Sequence, residues 1–254
     1  MKTTISTHLS SLLLAAGILA AALSATSNIH ASTYTLTTKS SDGGFDGWIT
    51  VGNQSNSDGT QLRVGNAWST FSDANRSASA ILMFDLSKLD IDFTKEQIVS
   101  VTLSFYVTTI NSANTITITH GVKATKTLVY GPNNEDTPTT LTNNRWTTVV
   151  GATSVTKTGL ISPYDVTTTF LSDVAASNAY SSYRLAQADT YIAPGSGGKQ
   201  GVASWGFIVA SGDQTTNAVP TLTITTQSIP EPAHLGILLG GGILSLVLFI
   251  KRHR

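Results

Sequence analysis

Three stretches of this chain alternate apolar residues with mostly polar residues at every second position. Residues 99–107 read Val-Ser-Val-Thr-Leu-Ser-Phe-Tyr-Val, and residues 115–119 and 221–225 repeat the alternation with threonine at each polar position. A period of two places successive side chains on opposite faces of a strand, so each stretch predicts a buried face and an exposed, threonine-rich face. The chain is therefore constrained, before anything else, to form β-structure.

A fourth stretch, residues 79–84, is apolar on both faces and predicts a central strand. Clusters of Gly, Asn, Asp and Ser between the strand-like stretches predict turns. Asp165 is expected to cap one short helix, in which Val166, Phe170 and Val174 share a face through their spacing of four. Trp205, Phe207 and Val209 alternate with Gly206 and Ile208 and predict a further strand whose second face is only partly polar. Weaker strand predictions fall at residues 34–37, 61–64, 145–150 and 182–185.

These elements suit a single domain over residues 32–228. Many strands, many turns and one helix indicate an all-β fold, and we expect a jelly-roll-type β-sandwich. The chain has no cysteine, which excludes disulfides, thiol catalysis and cysteine metal sites. A domain of about 200 residues can bury enough apolar surface to be stable without a disulfide.

Residues 1–31 have the pattern of a secretory signal peptide. Lys2 is followed by an apolar, alanine-rich run at residues 12–23, with small residues after it. Such a run is short for a transmembrane span and fits the apolar core of a signal peptide. We expect cleavage between residues 24 and 31.

Residues 229–254 have three parts in a fixed order. Pro230, Glu231 and Pro232 cannot form regular helix, because proline fixes φ and lacks a backbone N–H. An uncharged apolar run follows at residues 235–250, and as a helix it would span about 24 Å, slightly less than a ~30 Å hydrocarbon core. A basic cluster at the end would stay on the cytoplasmic side and leave the rest of the protein outside. That cluster consists of Lys251, Arg252 and Arg254.

This tail resembles the PEP-CTERM sorting signal of Gram-negative bacteria. The resemblance rests on the Pro-Glu-Pro triplet, the glycine-containing apolar run and the basic end, in that order. It implies recognition by an exosortase, a membrane protease-transpeptidase, and delivery to the cell surface or the exopolysaccharide matrix. The resemblance covers about a tenth of the chain and concerns address rather than activity. A plain membrane anchor is the alternative.

The domain carries little net charge. The whole chain has 15 basic and 15 acidic residues; without Lys2, Lys251, Arg252 and Arg254, 11 basic residues remain, and without Glu231, 14 acidic ones. The mature domain is therefore close to −3. Nucleic-acid binding needs a clustered basic surface, so we expect no nucleic-acid partner.

A second resemblance covers nearly the whole domain. Its landmarks are Asp42-Gly43 and residues 62–65, 81–87, 99–106, 165–167 and 220–224. In this order and spacing they are similar to the DNRLRE-type domain, which is grouped with carbohydrate-binding module family 96. The resemblance implies a jelly-roll sandwich and, for some members, binding of alginate-like acidic polysaccharide. The chain departs from the family before the last strand, where Ser211-Gly212-Asp213 replaces an acidic Ser-x-Glu step.

The residues of general catalysis are sparse. His120 is the histidine securely inside the domain, so a Ser–His–acid triad would have to use it. Glu96 and Glu135 lie in loop-like, polar surroundings and do not resemble the paired carboxylates of a glycosidase. We expect no catalytic residues and no enzyme activity.

Asp42, Asp46 and Asp58 lie in glycine-rich loops that offer oxygen ligands for a structural calcium ion. Their spacing is not that of an EF-hand loop, and Asp-Gly turns explain the same residues without a metal. Both interpretations stay open, the metal site is unassigned, and we expect no other cofactor.

Sugar binding relies on exposed aromatic faces and a few polar groups. Trp48 and Trp68 lie in loop-like sequence, and Arg63 and Arg76 are candidates to face a uronate carboxylate. The alternative is a structural role, in which the two tryptophans cover the hydrophobic core and bind no ligand. Arg145 and Arg184 are further candidates among the arginines.

The sequence thus predicts an exported, non-catalytic surface or exopolysaccharide-matrix protein of a Gram-negative bacterium, with a structural or adhesive role. The alternative is a carbohydrate-binding module for an acidic, alginate-like polysaccharide. The expected partners are an exosortase-type protease, the inner membrane before processing and exopolysaccharide.

Overall fold

The computed structural model describes residues 30–50, 55–56, 59–68, 75–111, 114–128, 145–161, 163–187 and 206–229. Of the predicted signal peptide only residues 30 and 31 are described, and of the sorting tail only Ile229 is. Within those residues, no helix has the length and apolar character needed to cross a membrane.

The described chain is all-β, with curled antiparallel sheets and one α-helix, α1 (Thr167–Ala175). Single 3-10 turns occur at Ser40–Asp42 and Leu86–Lys88. The strands are β1 (Ala31–Thr37), β2 (Phe45–Thr50), β3 (Ser55–Asn56), β4 (Gln61–Trp68), β5 (Asn75–Asp85), β6 (Glu96–Ser104), β7 (Tyr106–Ile110), β8 (Asn114–His120), β9 (Thr148–Val155), β10 (Gly159–Leu160), β11 (Tyr164–Asp165), β12 (Tyr180–Gln187), β13 (Phe207–Ala210) and β14 (Thr221–Ser228).

The strands form a four-stranded sheet with the order β1-β14-β6-β11 and a ten-stranded sheet. The larger sheet follows the path β10-β7-β13-β4-β5-β12-β8-β9, and β2 pairs with both β5 and β3. Two compact units divide the described chain: residues 33–90 with 99–225, and the shorter segments 91–98 and 226–229 with residues 30–32. The longer unit holds α1 and most strands.

The prediction of a central strand at residues 79–84 is confirmed. It lies inside β5, which pairs with β2 and β12, and Ile81, Leu82, Met83 and Phe84 are all fully buried. A strand buried on both faces needs apolar residues at consecutive positions, which the sequence supplies. The predicted strands at residues 34–37, 61–64, 182–185 and 221–225 are confirmed in β1, β4, β12 and β14.

The stretch 99–107 was predicted as one strand, but it divides at Phe105 into β6 and β7, which belong to different sheets. The buried face continues across the division, since Val101, Leu103, Phe105 and Val107 are all fully buried. The alternation of apolar and polar residues predicts which side chains are buried. It does not predict with which neighbouring strand the backbone forms its hydrogen bonds. The predicted alternation is therefore correct and the single strand is wrong.

The prediction of an exposed threonine face is wrong for β8. Thr117 and Thr119 are 6% and 1% exposed. Thr119 lies opposite Arg184, which lies opposite Ile81, so these side chains share a face of the sheet. That face carries a core cluster of Ile49, Ile81, Met83 and Trp146, which covers it.

Trp48 does not lie in a loop, as its sequence surroundings predicted, but in β2, where it pairs with Ala80 of the central strand. Turn-forming residues such as Asp46 and Gly47 disfavour a strand by intrinsic propensity. Here six consecutive pairings with β5, from Phe45 to Thr50, override that preference. Trp68 likewise ends a strand, β4, rather than lying in a loop.

Helix α1 forms where it was expected, but its N-cap residue is Val166 and not Asp165, which lies one residue earlier. Its Oδ1 accepts hydrogen bonds from the backbone N–H of Thr167 at 2.9 Å and from its hydroxyl at 2.6 Å, and Val166 occupies the cap position. Phe170 is fully buried. Val174 is only partly buried, because the helix turns Asp173 toward the interior instead.

Candidate functional site

Trp48 and Arg63, two of the predicted sugar-binding residues, are in contact. The guanidinium carbon of Arg63 lies 4.5 Å from the centre of the Trp48 ring. Trp48 is 6% exposed and Arg63 is partly exposed. A cation over an indole face gains about 0.5–1 kcal/mol at a surface site, so the ring holds the guanidinium in place.

The other two candidates, Trp68 and Arg76, lie on the strands next to this pair. Register places Ala67 of β4 opposite Arg76 of β5, and Trp68 opposite Asn75. All four predicted residues thus lie on β2, β4 and β5, which are hydrogen-bonded neighbours. The conformations of the Trp68 and Arg76 side chains lie outside what the structure describes.

The Trp48–Arg63 pair has a definite chemical capacity. Arginine carries five N–H donors in a planar fork that matches a carboxylate. With its ring covered, Trp48 is poorly suited to stack directly on a sugar and better suited to orient the guanidinium above it. The Trp48–Arg63 pair is therefore better suited to contact an anionic group of a ligand than the uncharged face of a sugar ring.

The other two tryptophans and the candidate Arg145 lie elsewhere. Trp146 is fully buried in the core cluster with Ile49, Ile81 and Met83. Arg145, its neighbour, is partly buried just before β9. Trp205 lies outside the described residues.

His120 lies at the end of β8 in a buried polar network that sequence reasoning missed. Its Nε2 is 2.8 Å from Oδ2 of Asp173, and its ring centre is 5.6 Å from that of Tyr183. Asp173 also accepts hydrogen bonds from the Ser181 hydroxyl at 2.7 Å and the Asn178 amide at 2.8 Å. Burial raises the pKa of the Tyr183 hydroxyl to about 12, which keeps it protonated.

This network contains a serine, a histidine and an aspartate, but not in the order of a catalytic triad. In a triad the serine hydroxyl bonds to the histidine, which then takes its proton. Here Ser181 donates to Asp173, and both Ser181 and Asp173 are almost fully buried. The geometry is that of a carboxylate satisfied by several donors, which stabilises the junction of β8, α1 and β12.

A second buried carboxylate, Asp46 of β2, joins three separate segments. It accepts hydrogen bonds from the Thr38 hydroxyl at 2.5 Å and from the backbone N–H of Gly212 at 2.5 Å. Gly44 and Gly212 approach the backbone of Thr37 and Thr38 so closely that a Cβ at either glycine would lie under 3 Å from it. Burial raises the pKa of Asp46 from 3.8 to about 6.

The described residues contain no cluster of metal-ligating side chains that would support a calcium site. There, no three His, Asp or Glu side chains are grouped so that they could hold a metal ion. Asp42 instead accepts a hydrogen bond from the Thr37 hydroxyl at 2.5 Å, and Asp46 is occupied as above. Asp58 lies outside the described residues, so its part in the prediction stays untested.

No family model matches this chain, and no curated protein does either. The two resemblances named above therefore rest on the motifs of the sequence.

Arg184 was a candidate to face a ligand carboxylate, but the structure buries it in the interior. It is fully buried on β12, opposite Ile81 and Thr119. Three hydroxyls of the same face, those of Ser79, Thr119 and Ser182, are buried without a hydrogen-bond partner among the described residues. The strand predicted at residues 182–185 carried no statement about burial, and the structure buries both of its faces.

Proposed function

We propose that this protein is exported and delivered to the surface or exopolysaccharide matrix of a Gram-negative bacterium, where it has a structural or adhesive, non-catalytic role. The observation that carries the proposal is the tail of residues 230–254, with its Pro-Glu-Pro triplet, apolar run and basic end. The position of the last strand supports it, because β14 ends at Ser228, two residues before the triplet. In this proposal the folded part is a jelly-roll β-sandwich.

The non-catalytic part of the proposal draws support from the buried network around His120. A histidine that bonds Asp173 in the interior, with the nearby serine bonded to the same carboxylate, is not arranged to activate a nucleophile. We expect no release of reducing ends or unsaturated products when the purified protein is incubated with acidic polysaccharides.

Deletion of residues 230–254 tests the tail. We expect the shortened protein in the culture medium, because it keeps its signal peptide and loses the segment that retains it. The measurement is the protein's distribution among medium, cell surface and inner membrane. An undiminished surface fraction would refute the assignment of the tail.

Replacing Pro230, Glu231 and Pro232 with alanine separates a sorting signal from a simple anchor. The apolar run and the basic cluster are unchanged in this variant, so a simple anchor should still deliver the protein normally. A sorting signal should instead leave unprocessed precursor in the inner membrane. The matched control is Ile229→Ala, a single alanine substitution directly before the triplet, and this variant should be processed as the wild type is.

A carbohydrate-binding module is the second candidate, and one observation favours it. Arg63 is held over Trp48 at 4.5 Å, and a donor fork fixed before binding loses less conformational entropy when it meets a uronate carboxylate. We expect saturable binding to one acidic polysaccharide, weakened about tenfold or more by Arg63→Ala, since a charge-assisted hydrogen bond contributes about 1.5–3 kcal/mol. Arg63→Lys, which keeps the charge and loses the fork, is the control. Absence of binding across a panel, with and without calcium, would reject this candidate.

A further inference from the structure

The turn formed by residues 92–95, called the Phe93 turn below, presents an aromatic ring to the outside. Asp92 fixes it: its carboxylate accepts from the Thr94 backbone at 3.0 Å, and its carbonyl accepts from the backbone of Lys95 at 2.8 Å. Phe93 is nevertheless 49% exposed. A single exposed apolar side chain is common on a protein surface, so what distinguishes Phe93 is the position of its turn beside the start of the sorting tail.

The sorting tail leaves the folded chain at this turn. The backbone N–H of Ile229 donates to the carbonyl of Lys95 at 2.6 Å, and the Thr226 hydroxyl donates to Glu96. Ile229 is itself 40% exposed. These residues belong to one compact unit, so the start of the tail is fixed beside the Phe93 turn.

The length of the tail limits how far the turn can be from a membrane. Between Ile229 and the start of the apolar run at residue 235 there are only six residue steps. Even fully extended, they cover about 20 Å, and two prolines favour an extended path. When the apolar run lies in the bilayer, Ile229 therefore stays within about 20 Å of the hydrocarbon, so the adjoining turn is within reach of the headgroups.

We infer that the Phe93 turn is a membrane-interface contact of the precursor, with the Phe93 ring inserted among the lipid headgroups while the tail spans the bilayer. This inference rests on the proposed function, because it needs the tail in the membrane. Aromatic side chains gain free energy at the boundary of headgroups and acyl chains.

The charges of the turn identify the kind of surface that it fits. Asp92 and Lys95 form an ion pair at 3.3 Å, and Glu96 follows. With no excess of positive charge, the turn gains nothing from anionic lipids. The partner is therefore the neutral, zwitterionic interface, and the contact should not depend on salt.

The absence of cysteine from the chain allows single-site labelling of the full-length precursor. Phe93→Cys carries an environment-sensitive fluorophore, and the protein is reconstituted in phosphatidylcholine vesicles with nitroxide lipids placed either near the headgroup or deep in the acyl chain. We expect blue-shifted emission and shallow quenching about twofold stronger than deep quenching, as for a group buried roughly 5–10 Å into the interface. An unquenched label, with the tail inserted, would overturn the inference.

A second label separates this inference from the proposed function. Ser245→Cys lies in the apolar run and should be quenched most strongly by the deep nitroxide. If it is not, the tail does not span the bilayer and the proposed function fails with it. If the label at 245 is deep and the label at 93 is unquenched, only the inference about the turn is wrong.

A third label tests the ring itself, because Phe93→Cys removes it. Gln97→Cys is exposed on the same segment and leaves Phe93 in place. We expect its shallow quenching to fall severalfold when Phe93→Ser is added, and to be unchanged between low and high salt. Quenching that survives Phe93→Ser, or that needs anionic lipid and vanishes in salt, would show that the ring does not make the contact.

Discussion

The two buried aspartates of this protein solve the same problem in different ways. Asp173 is met by an imidazole, a hydroxyl and an amide from His120, Ser181 and Asn178. Asp46 has a hydroxyl and one backbone N–H, from Thr38 and Gly212, and burial raises its pKa to about 6. A buried carboxylate is tolerated when enough donors replace its water. Three side-chain donors thus compensate the burial of Asp173, whereas two donors leave the ionised form of Asp46 disfavoured by its burial.

Asp173→Ala should have the largest effect. It removes the acceptor shared by His120, Ser181 and Asn178, and it takes this partner away from the buried His120 ring and the buried Ser181 hydroxyl. Breaking such a network costs about 3–5 kcal/mol, measured as the free energy of unfolding in urea. Asp90→Ala, at an exposed position, is the control and should change stability by under about 0.5 kcal/mol.

Asp46→Ala should destabilise the protein less, by about 1–3 kcal/mol. It frees the Thr38 hydroxyl and the Gly212 N–H, but it also removes a carboxylate whose burial opposes ionisation. The same urea measurement at pH 7 decides the order. A loss larger than that of Asp173→Ala would invert the comparison.

The pH dependence of stability sharpens the contrast. Because the pKa of Asp46 rises from 3.8 in the unfolded chain to about 6 in the folded protein, folding binds a proton between these values. Its contribution is full below pH 3.8 and is lost as pH rises through about 6. From about pH 7 to about pH 5 the unfolding free energy should therefore gain about 1 kcal/mol from this group.

Asp46→Asn isolates that gain, since the amide does not titrate. The difference between wild type and variant should change by about 1 kcal/mol over the same interval. The pKa values of Asp42 and Asp165 are lowered by hydrogen bonds, from Thr37 and Thr167 respectively, so these groups lose their contribution only below pH 3.8 and leave the interval undisturbed. An unchanged difference would mean that Asp46 is not buried as described.

The smallest effects should come from the neighbouring serines of β12. Ser181 donates to Asp173, whereas the Ser182 hydroxyl is buried with no partner in the described part of the chain. We expect Ser181→Ala to cost about 1 kcal/mol or more, and Ser182→Ala to be neutral or slightly stabilising, because it removes a buried group that gains no hydrogen bond. Equal losses at the two positions, measured by thermal unfolding, would contradict this assignment.

The sequence predicted those parts of the fold that depend on neighbouring residues. The buried faces of β6, β7 and β14 follow from alternation, the central strand from an apolar run, and α1 from Asp165 and the spacing of Val166 and Phe170. Each of these signals is local.

The remainder depends on contacts between distant parts of the chain. Asp46 meets Gly212 across 166 positions, and His120 meets Asp173 across 53. The burial of Thr119 follows from Trp146 covering the face that alternation marks as polar. For the candidate site, the sequence named Trp48 and Arg63 separately, and only the pairing of β2 with β5 reveals a strand at Trp48.

The interior position of β14 has a mechanical consequence. Force applied to the tail first meets the hydrogen bond between Ile229 and Lys95 and then β14, a strand with hydrogen-bonded neighbours, β1 and β6, on both sides. An edge strand could be peeled from a single neighbour, one bond after another, whereas β14 can leave only by breaking its bonds to two. A protein held at its carboxyl end against flow would thus be pulled at a strand that is hydrogen-bonded on both sides.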